Sequence, residues 1–253
     1  MILRIASASL LVATTLGAQT PRDSKRAFEI ADNSFLVEEA FNQEAGIFQN
    51  ILLFQRPHGR EWSLEFTQEW PVVTQRHQFS FTIPIEGVRP PAADDYDVAR
   101  GTIALTYRYQ LALEQDAGVA FSPRLSVLVP RGDGDVGVQL NLPASKQFGD
   151  VYAHANAGLT SDGDTRWHVG GSLIYRAWPM VHLMLESVYR ADEHVTATGT
   201  EDGWLVSPGF RAGFNLKDHQ LVLGAAVPIG LLNDYDTQEF IAYISWELPF
   251  MRR

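Results

Sequence analysis

The sequence predicts an all-β fold: a transmembrane antiparallel β-barrel of the outer-membrane type, with about 12 strands. Three observations carry that expectation. Segment after segment separates an apolar parity from a polar one, as a strand does when its side chains alternate between two faces. Connections between these segments alternate between short and long, like the two ends of a membrane barrel. Tryptophans fall at segment ends, where aromatic girdles meet the lipid headgroups.

The alternation can be followed along the chain. EWSLEFTQEW sets Trp62, Leu64, Phe66 and Trp70 against Ser63, Glu65, Thr67 and Glu69. RHQFSFTIPIEG sets His77, Phe79, Phe81, Ile83 and Ile85 against Gln78, Ser80 and Thr82. In TIALTYRYQLALE, Ile103, Leu105, Tyr107, Tyr109 and Leu111 oppose Thr102, Thr106, Arg108, Gln110 and Glu114. VAFSPRLSVLV places Val119, Phe121, Leu125 and Val127 against Ser122, Arg124 and Ser126. DVGVQLNL and VYAHANAGL keep Gln139, Asn141, His154 and Asn156 on the polar parity. RWHVGGSLIYR and VHLMLESVYR do the same with His168, Ser172, His182, Glu186 and Arg190. WLVSPGFRAGF, QLVLGAAVPI and EFIAYISWELPF complete the set, after a less regular first strand near IFQNILLFQ.

Beyond that first strand the apolar parity carries no Asp, Glu, Lys or Arg. A soluble sandwich also has one apolar face, so loops and tryptophans must separate the two folds. VVTQ, QDAG, PASKQFGD, RAWP and LKDH form the short set, with PASKQFGD as its long exception. GVRPPAADDYDVARG, PRGDGD, TSDGDT, ADEHVTATGTEDG and GLLNDYDTQ form the other. Trp62, Trp70, Trp167, Trp178 and Trp204 sit at or beside strand ends, whereas Trp246 lies within the last strand. Pro123 and Pro208 fall inside strands, where proline removes a ladder donor, so bulges are expected there.

The N-terminus has the layout of a secretory signal peptide: Arg4, an apolar run over Ile5 to Leu16, then small residues, with cleavage expected after Ala18. Its removal takes away Arg4 and makes the chain more acidic than its formal charge of −10. That balance argues against a nucleic-acid partner. Cysteine is absent, which excludes disulfide and thiol chemistry. No second apolar run reaches the roughly 18 to 20 residues of a membrane helix. The organisation expected is therefore a signal peptide over 1–18, an N-terminal segment over 19–45 and a barrel over 46–253. The middle segment lacks a clean period and reads as a periplasmic tail, a short helix or a plug.

Glu65, Glu69, Arg108, Glu114, Arg124, Arg176, Glu186, Arg190 and Arg211 share the polar parity and are expected to line the lumen. They read either as a pathway whose opposite charges orient a solute, or as a salt-bridge network filling a narrow barrel, since buried charges are costly unless paired. His154, His168 and His182 lie on the same parity. At about 3.3 Å per residue, His168 stands roughly 25 Å along its strand from Arg176, the expected neighbour of the other two. No metal or cofactor is expected. The Asp-rich loops read as solvated turns. There is no G-x-S-x-G and no serine motif beside His77, so no enzyme is expected.

ADNSFLVEEAFNQEAGIFQN, leading into EWSLEFTQEWPV and FSFTIPI, resembles the bacterial outer-membrane proteins grouped under the phenol-degradation meta-pathway name. Those proteins are commonly labelled transporters and are loosely similar to fatty-acid and aromatic-hydrocarbon uptake channels. The resemblance implies a porin-like barrel among outer-membrane lipid and lipopolysaccharide, passing a small hydrophobic or aromatic solute. The other reading is a closed structural or surface-interaction barrel without transport. The late Phe250 resembles the terminal signal read by the barrel-assembly machinery.

Overall fold

The computed structural model describes residues 30, 32–56, 61–90, 94–192, 195–196, 199–200, 203–216, 219–232 and 240–250. The expected signal peptide, residues 19–29 and the Asp-rich stretch 233–239 lie outside the described residues.

Twelve antiparallel strands close into a barrel. Strands β1 (Ile47–Arg56), β2 (Glu61–Val72) and β3 (Thr74–Val88) are continuous. Three strands follow in two pieces each: β4 (Asp97–Arg100 and Ile103–Tyr109), β5 (Ala120–Phe121 and Arg124–Val129) and β6 (Gly137–Asn141 and Ala144–Phe148). Then come β7 (Val151–Ser161), β8 (Thr165–Trp178), β9 (Val181–Asp192) and β10 (Gly203–Leu216). The last two are β11 (His219–Ala226 and Ile229–Gly230) and β12 (Phe240–Pro249). Closure comes from β12 pairing with β1, from Ile47 opposite Pro249 to Arg56 opposite Phe240. A closed sheet leaves no edge strand with unpaired backbone groups, which is what a sheet standing in lipid requires.

Closure turns the two parities into an outer and an inner wall. Leu105, Leu125, Leu173, Leu185 and Phe210 are exposed on the outside, Leu125 by 53%. Gln78, Ser80, Thr106, Ser126, Asn141 and Ser172 are buried on the inside. A register slip of one residue would exchange the two sets. Polar side chains on the outer face pair with one another, as where Gln68 Nε2 donates to Asn50 Oδ1 at 2.7 Å and Asn50 Nδ2 donates to the Trp246 carbonyl at 3.3 Å. Asn50 is thereby satisfied beside the Phe66–Trp246 ring pair, whose centroids are 6.5 Å apart.

The structure corrects four local expectations. The inner parity is not polar throughout: Ile51, Ile174, Met184, Val222, Ile241 and Tyr243 face inward and form an apolar cluster with Ile30 and Phe35. The reason is that another piece of chain is packed against them. PASKQFGD is not a long turn, because Ala144–Phe148 continues β6 and the turn is Gly149–Asp150, with Gly149 at φ 61°. Pro123 lies in a strand interruption rather than a simple bulge, next to the interruption at Pro143; Ser122 N–H donates to the Pro143 carbonyl at 3.2 Å. Pro208 remains inside β10, and the adjacent strand breaks instead, with Val227 N–H reaching the Pro208 carbonyl at 3.0 Å.

The wall assignment predicts unequal responses at neighbouring positions. Phe66→Arg places a charge on the lipid face and is expected to cost about 2–4 kcal/mol, read as a lower urea midpoint for the barrel in vesicles. Glu65→Arg, on the inner wall, is expected to lose much less; equal losses would contradict the assigned parity.

Candidate functional site

Residue 30 and residues 32–46 run inside the barrel without forming a helix or strand before Ile47. Irregular backbone at membrane depth has no water to meet its donors and acceptors, so the surrounding protein must satisfy them. Inner-wall side chains do so. The Glu186 carboxylate accepts three successive amides, from Phe35 (3.3 Å), Leu36 (2.8 Å) and Val37 (2.9 Å). Glu38 N–H goes to Asn156 Oδ1 at 2.7 Å, Ala40 N–H to Ser145 Oγ at 2.8 Å, and Gln43 N–H to Gln78 Oε1 at 2.6 Å.

Carbonyls are met in the same way. Asn156 Nδ2 donates back to the Glu38 carbonyl at 2.8 Å, so one side-chain amide stands in for a neighbouring strand. Gln110 accepts Asn42 N–H at 3.2 Å and donates to the Ala40 carbonyl at 2.9 Å. Arg108 Nη1 donates to the Phe41 carbonyl at 2.7 Å, and Arg211 Nη1 donates to the carbonyls of Asp32 and Asn33.

Charge pairing adds to this. Glu38 lies between Arg108, at 3.1 Å, and Arg124. Burial raises its pKa, but the two guanidiniums outweigh burial and hold the carboxyl below its usual range. Glu39 reaches Arg211 at 3.2 Å and His154 Nε2 at 3.7 Å. Asp32 accepts Tyr243 O–H and Gln49 Nε2–H, both at 2.5 Å. Burial pushes the Asp32 carboxyl up to about 6, with the Arg211 charge and the Tyr243 and Ser245 hydroxyls pulling the other way.

Shape is matched as well. A Cβ on Gly224 would stand 2.4 Å from the Phe35 ring, one on Gly213 2.8 Å from Ile30, and one on Gly170 3.1 Å from Val37. The missing side chains are the seats for these three apolar groups. Burying each is worth about 1.5–3 kcal/mol. Phe41 meets the rings of Tyr152 and His154 edge-on, at 5.3 and 6.4 Å.

The nine residues expected in the lumen take different places. Arg108, Arg124, Glu186 and Arg211 hold the inner segment directly. Glu69 acts one step back, accepting Gln78 Nε2–H at 2.7 Å while Gln78 holds Gln43. Glu65 lies on the inner parity within electrostatic range of Glu86 and Arg190, and Arg190 is opposite His168 in register. Glu114 is not in a strand: it begins the helical turn Glu114–Ala117 and accepts Gln147 N–H (2.8 Å) and Tyr152 O–H (2.7 Å). Arg176 is opposite His182 in register, but its guanidinium turns to Asp150 at 2.5 Å, because Asp150 sits in the adjoining turn. Arg211 Nε donates to His182 at 3.3 Å, with Arg176 also in electrostatic range of that ring, and His154 takes Ser145 at 2.7 Å. Among the described residues, no group of three or more His, Asp and Glu is placed to hold a metal ion.

Asp32, Glu38 and Glu39, and the seats at Gly170, Gly213 and Gly224, were not among the expected site residues. Their only sequence signal is two acidic residues following the apolar Phe35-Leu36-Val37 run in an otherwise aperiodic segment.

No family model matches the chain, and a comparison with curated proteins finds no match. Solved structures do match. An outer membrane channel from Pseudomonas putida F1 is 14% identical with a TM-score of 0.56, over 82% of this chain and 97% of that one. The KdgM porin is 8% identical with a TM-score of 0.53, over 78% and 98%. The NanC porin is 8% identical with a TM-score of 0.51, over 79% and 98%. At these identities the likeness is one of fold: the chain has the architecture of outer-membrane channels.

Two outcomes follow for the inner segment. Glu186→Ala strands three amides, at a cost of about 1–3 kcal/mol, and is expected to speed amide exchange at 35–37 with little effect on strand amides. Because the Asp32 pKa is raised when the segment is seated, seating binds a proton. Segment exchange, corrected for intrinsic rates, is therefore expected to slow as pH falls from 7 through about 6 toward 4. Asp32→Asn is expected to weaken that dependence, while Arg211, Tyr243 and Glu39, the other titratable groups facing Asp32, stay in place.

Proposed function

We propose that the protein is a passive channel of the bacterial outer membrane for small solutes, with its N-terminal segment seated in the lumen in the state described here. The observation that carries this reading is how the segment is held. Side chains from β1 and from β3 through β12 grip or seat it, yet it is not a strand of the sheet. It can leave the lumen without parting any two barrel strands. A structural filler needs no such independence.

The fold shared with outer-membrane channels supports this reading, and the resemblance of residues 31–85 to the phenol-degradation meta-pathway proteins extends it to hydrophobic or aromatic solutes. Export by the signal peptide over 1–18, insertion by the barrel-assembly machinery and contact with lipopolysaccharide at the long-loop end complete it. No catalytic step belongs to it.

The test is conductance of the mature chain in planar bilayers beside Glu38→Arg. The substitution brings a third cation against Arg108 and Arg124 while leaving every wall residue unchanged. The intact chain is expected to show rare or small openings and Glu38→Arg steady, larger ones. A version lacking residues 19–45 should behave like Glu38→Arg. Silence from all three, in barrels shown to be folded, would overturn the channel and favour the closed structural barrel.

A further inference from the structure

We infer that the wall facing residues 38–41 is a binding site for an aryl carboxylate, which the seated segment occupies in the solute's place. This rests on the channel reading.

The segment shows what this part of the wall accepts. Arg108 Nη2 lies 3.1 Å from Glu38 Oε2, and Arg124 takes Oε1, so two guanidiniums share one carboxylate. Planar guanidinium forks recognise carboxylates in this way, with more directionality than a lysine offers. The same Arg108 donates to the Phe41 carbonyl at 2.7 Å, which brings the carboxylate and the phenyl-bearing residue to one side chain. The Phe41 ring abuts Tyr152 and His154, which are stacked at 4.9 Å with only 5° between their planes. Flat stacked rings present an edge-and-face surface suited to another aromatic ring.

Charge decides what replaces the segment. Arg108 is 2% exposed with the segment in place. Once Glu38 is withdrawn, Arg108 and Arg124 face the lumen with one wall carboxylate, Glu69, in electrostatic range of both, which leaves one positive charge in excess. A buried guanidinium without a counter-charge is costly, so the vacated site favours an anion over a neutral or cationic solute. A ring on that anion recovers the contact that Phe41 made. Because solute and segment compete for the same groups, each weakens the other by an equal factor.

The experiment measures amide exchange at residues 38–43 of the full mature chain in lipid nanodiscs, with sodium 3-phenylpropionate at millimolar concentration. Acceleration of about tenfold is expected, the scale of ordinary site-to-site coupling. Sodium acetate should give much less, and 3-phenylpropylammonium chloride none. Arg124→Gln should abolish the response to 3-phenylpropionate, and Tyr152→Leu should reduce it to that of acetate. The second variant keeps both guanidiniums and so guards against loosening of the segment in the first. Equal acceleration by acetate would overturn the aryl specificity, and equal acceleration by the ammonium compound would overturn the anion site. Should Glu38→Arg conduct while 3-phenylpropionate has no effect, this assignment falls and the channel stands. If 3-phenylpropionate acts but no variant conducts, the site stands in a closed barrel and the channel falls.

Discussion

A carboxylate with no measurable exposure needs several donors to stay inside a protein, and Glu186 finds three in the successive amides of Phe35, Leu36 and Val37. The dependence runs both ways. Without Glu186 those amides would be unsatisfied in the lumen, and without the segment Glu186 would lose its three backbone donors. This mutual requirement fixes where the segment crosses the barrel. From it follow the positions of Glu38 and Glu39, the seating of Phe35 and Val37, and the inward placement of apolar residues on β8 to β12.

The remaining wall contacts extend the same solution. Asn156 and Gln110 each accept an amide and donate to a carbonyl, as a paired strand would, without joining the segment to the ladder. Side chains can release the backbone one contact at a time, whereas a ladder unzips a strand from the barrel wall. The electrostatics are matched locally: Glu38 answers Arg108 and Arg124, and Glu39 answers Arg211. Asp32 is different. Burial dominates its environment, so its charge opposes seating, and the segment is held less firmly at its N-terminal end as pH rises.

The outer wall meets a simpler demand. Closure supplies every strand with two neighbours, so lipid needs to meet only side chains. Pro123 sits in an interruption of its own strand and Pro208 faces one in the next, and the Pro143 and Pro208 carbonyls still accept from the Ser122 and Val227 amides. Polar groups on the outward face are met by one another: Asn50 by Gln68, His77 by Tyr107 and Ser187 by Trp204. Neither feature disturbs the alternation that separates lipid from lumen.

That alternation is what the sequence by itself determined. Side-chain period in a strand is set by local stereochemistry, so Trp62, Phe66 and Leu125 against Glu69, Arg108 and Arg124 could be assigned without knowing any partner. Strand number, closure and the identity of most inner-wall charges followed from the same count. The tertiary structure alone decided what those charges do. Residues 32–46 have no period because their partners are side chains distributed around the barrel, separated in sequence by as much as 211 positions for Asp32 and Tyr243. The glycine seats are silent for the same reason, since a missing Cβ has meaning only once Phe35 or Val37 stands opposite it. Glu114 moved from a strand to a helical turn that reaches inward Tyr152, and the Arg176 guanidinium turned to Asp150 in the adjoining turn, contacts that only the folded chain brings together. Facing is a property of one strand, whereas pairing across a lumen depends on closing all of them.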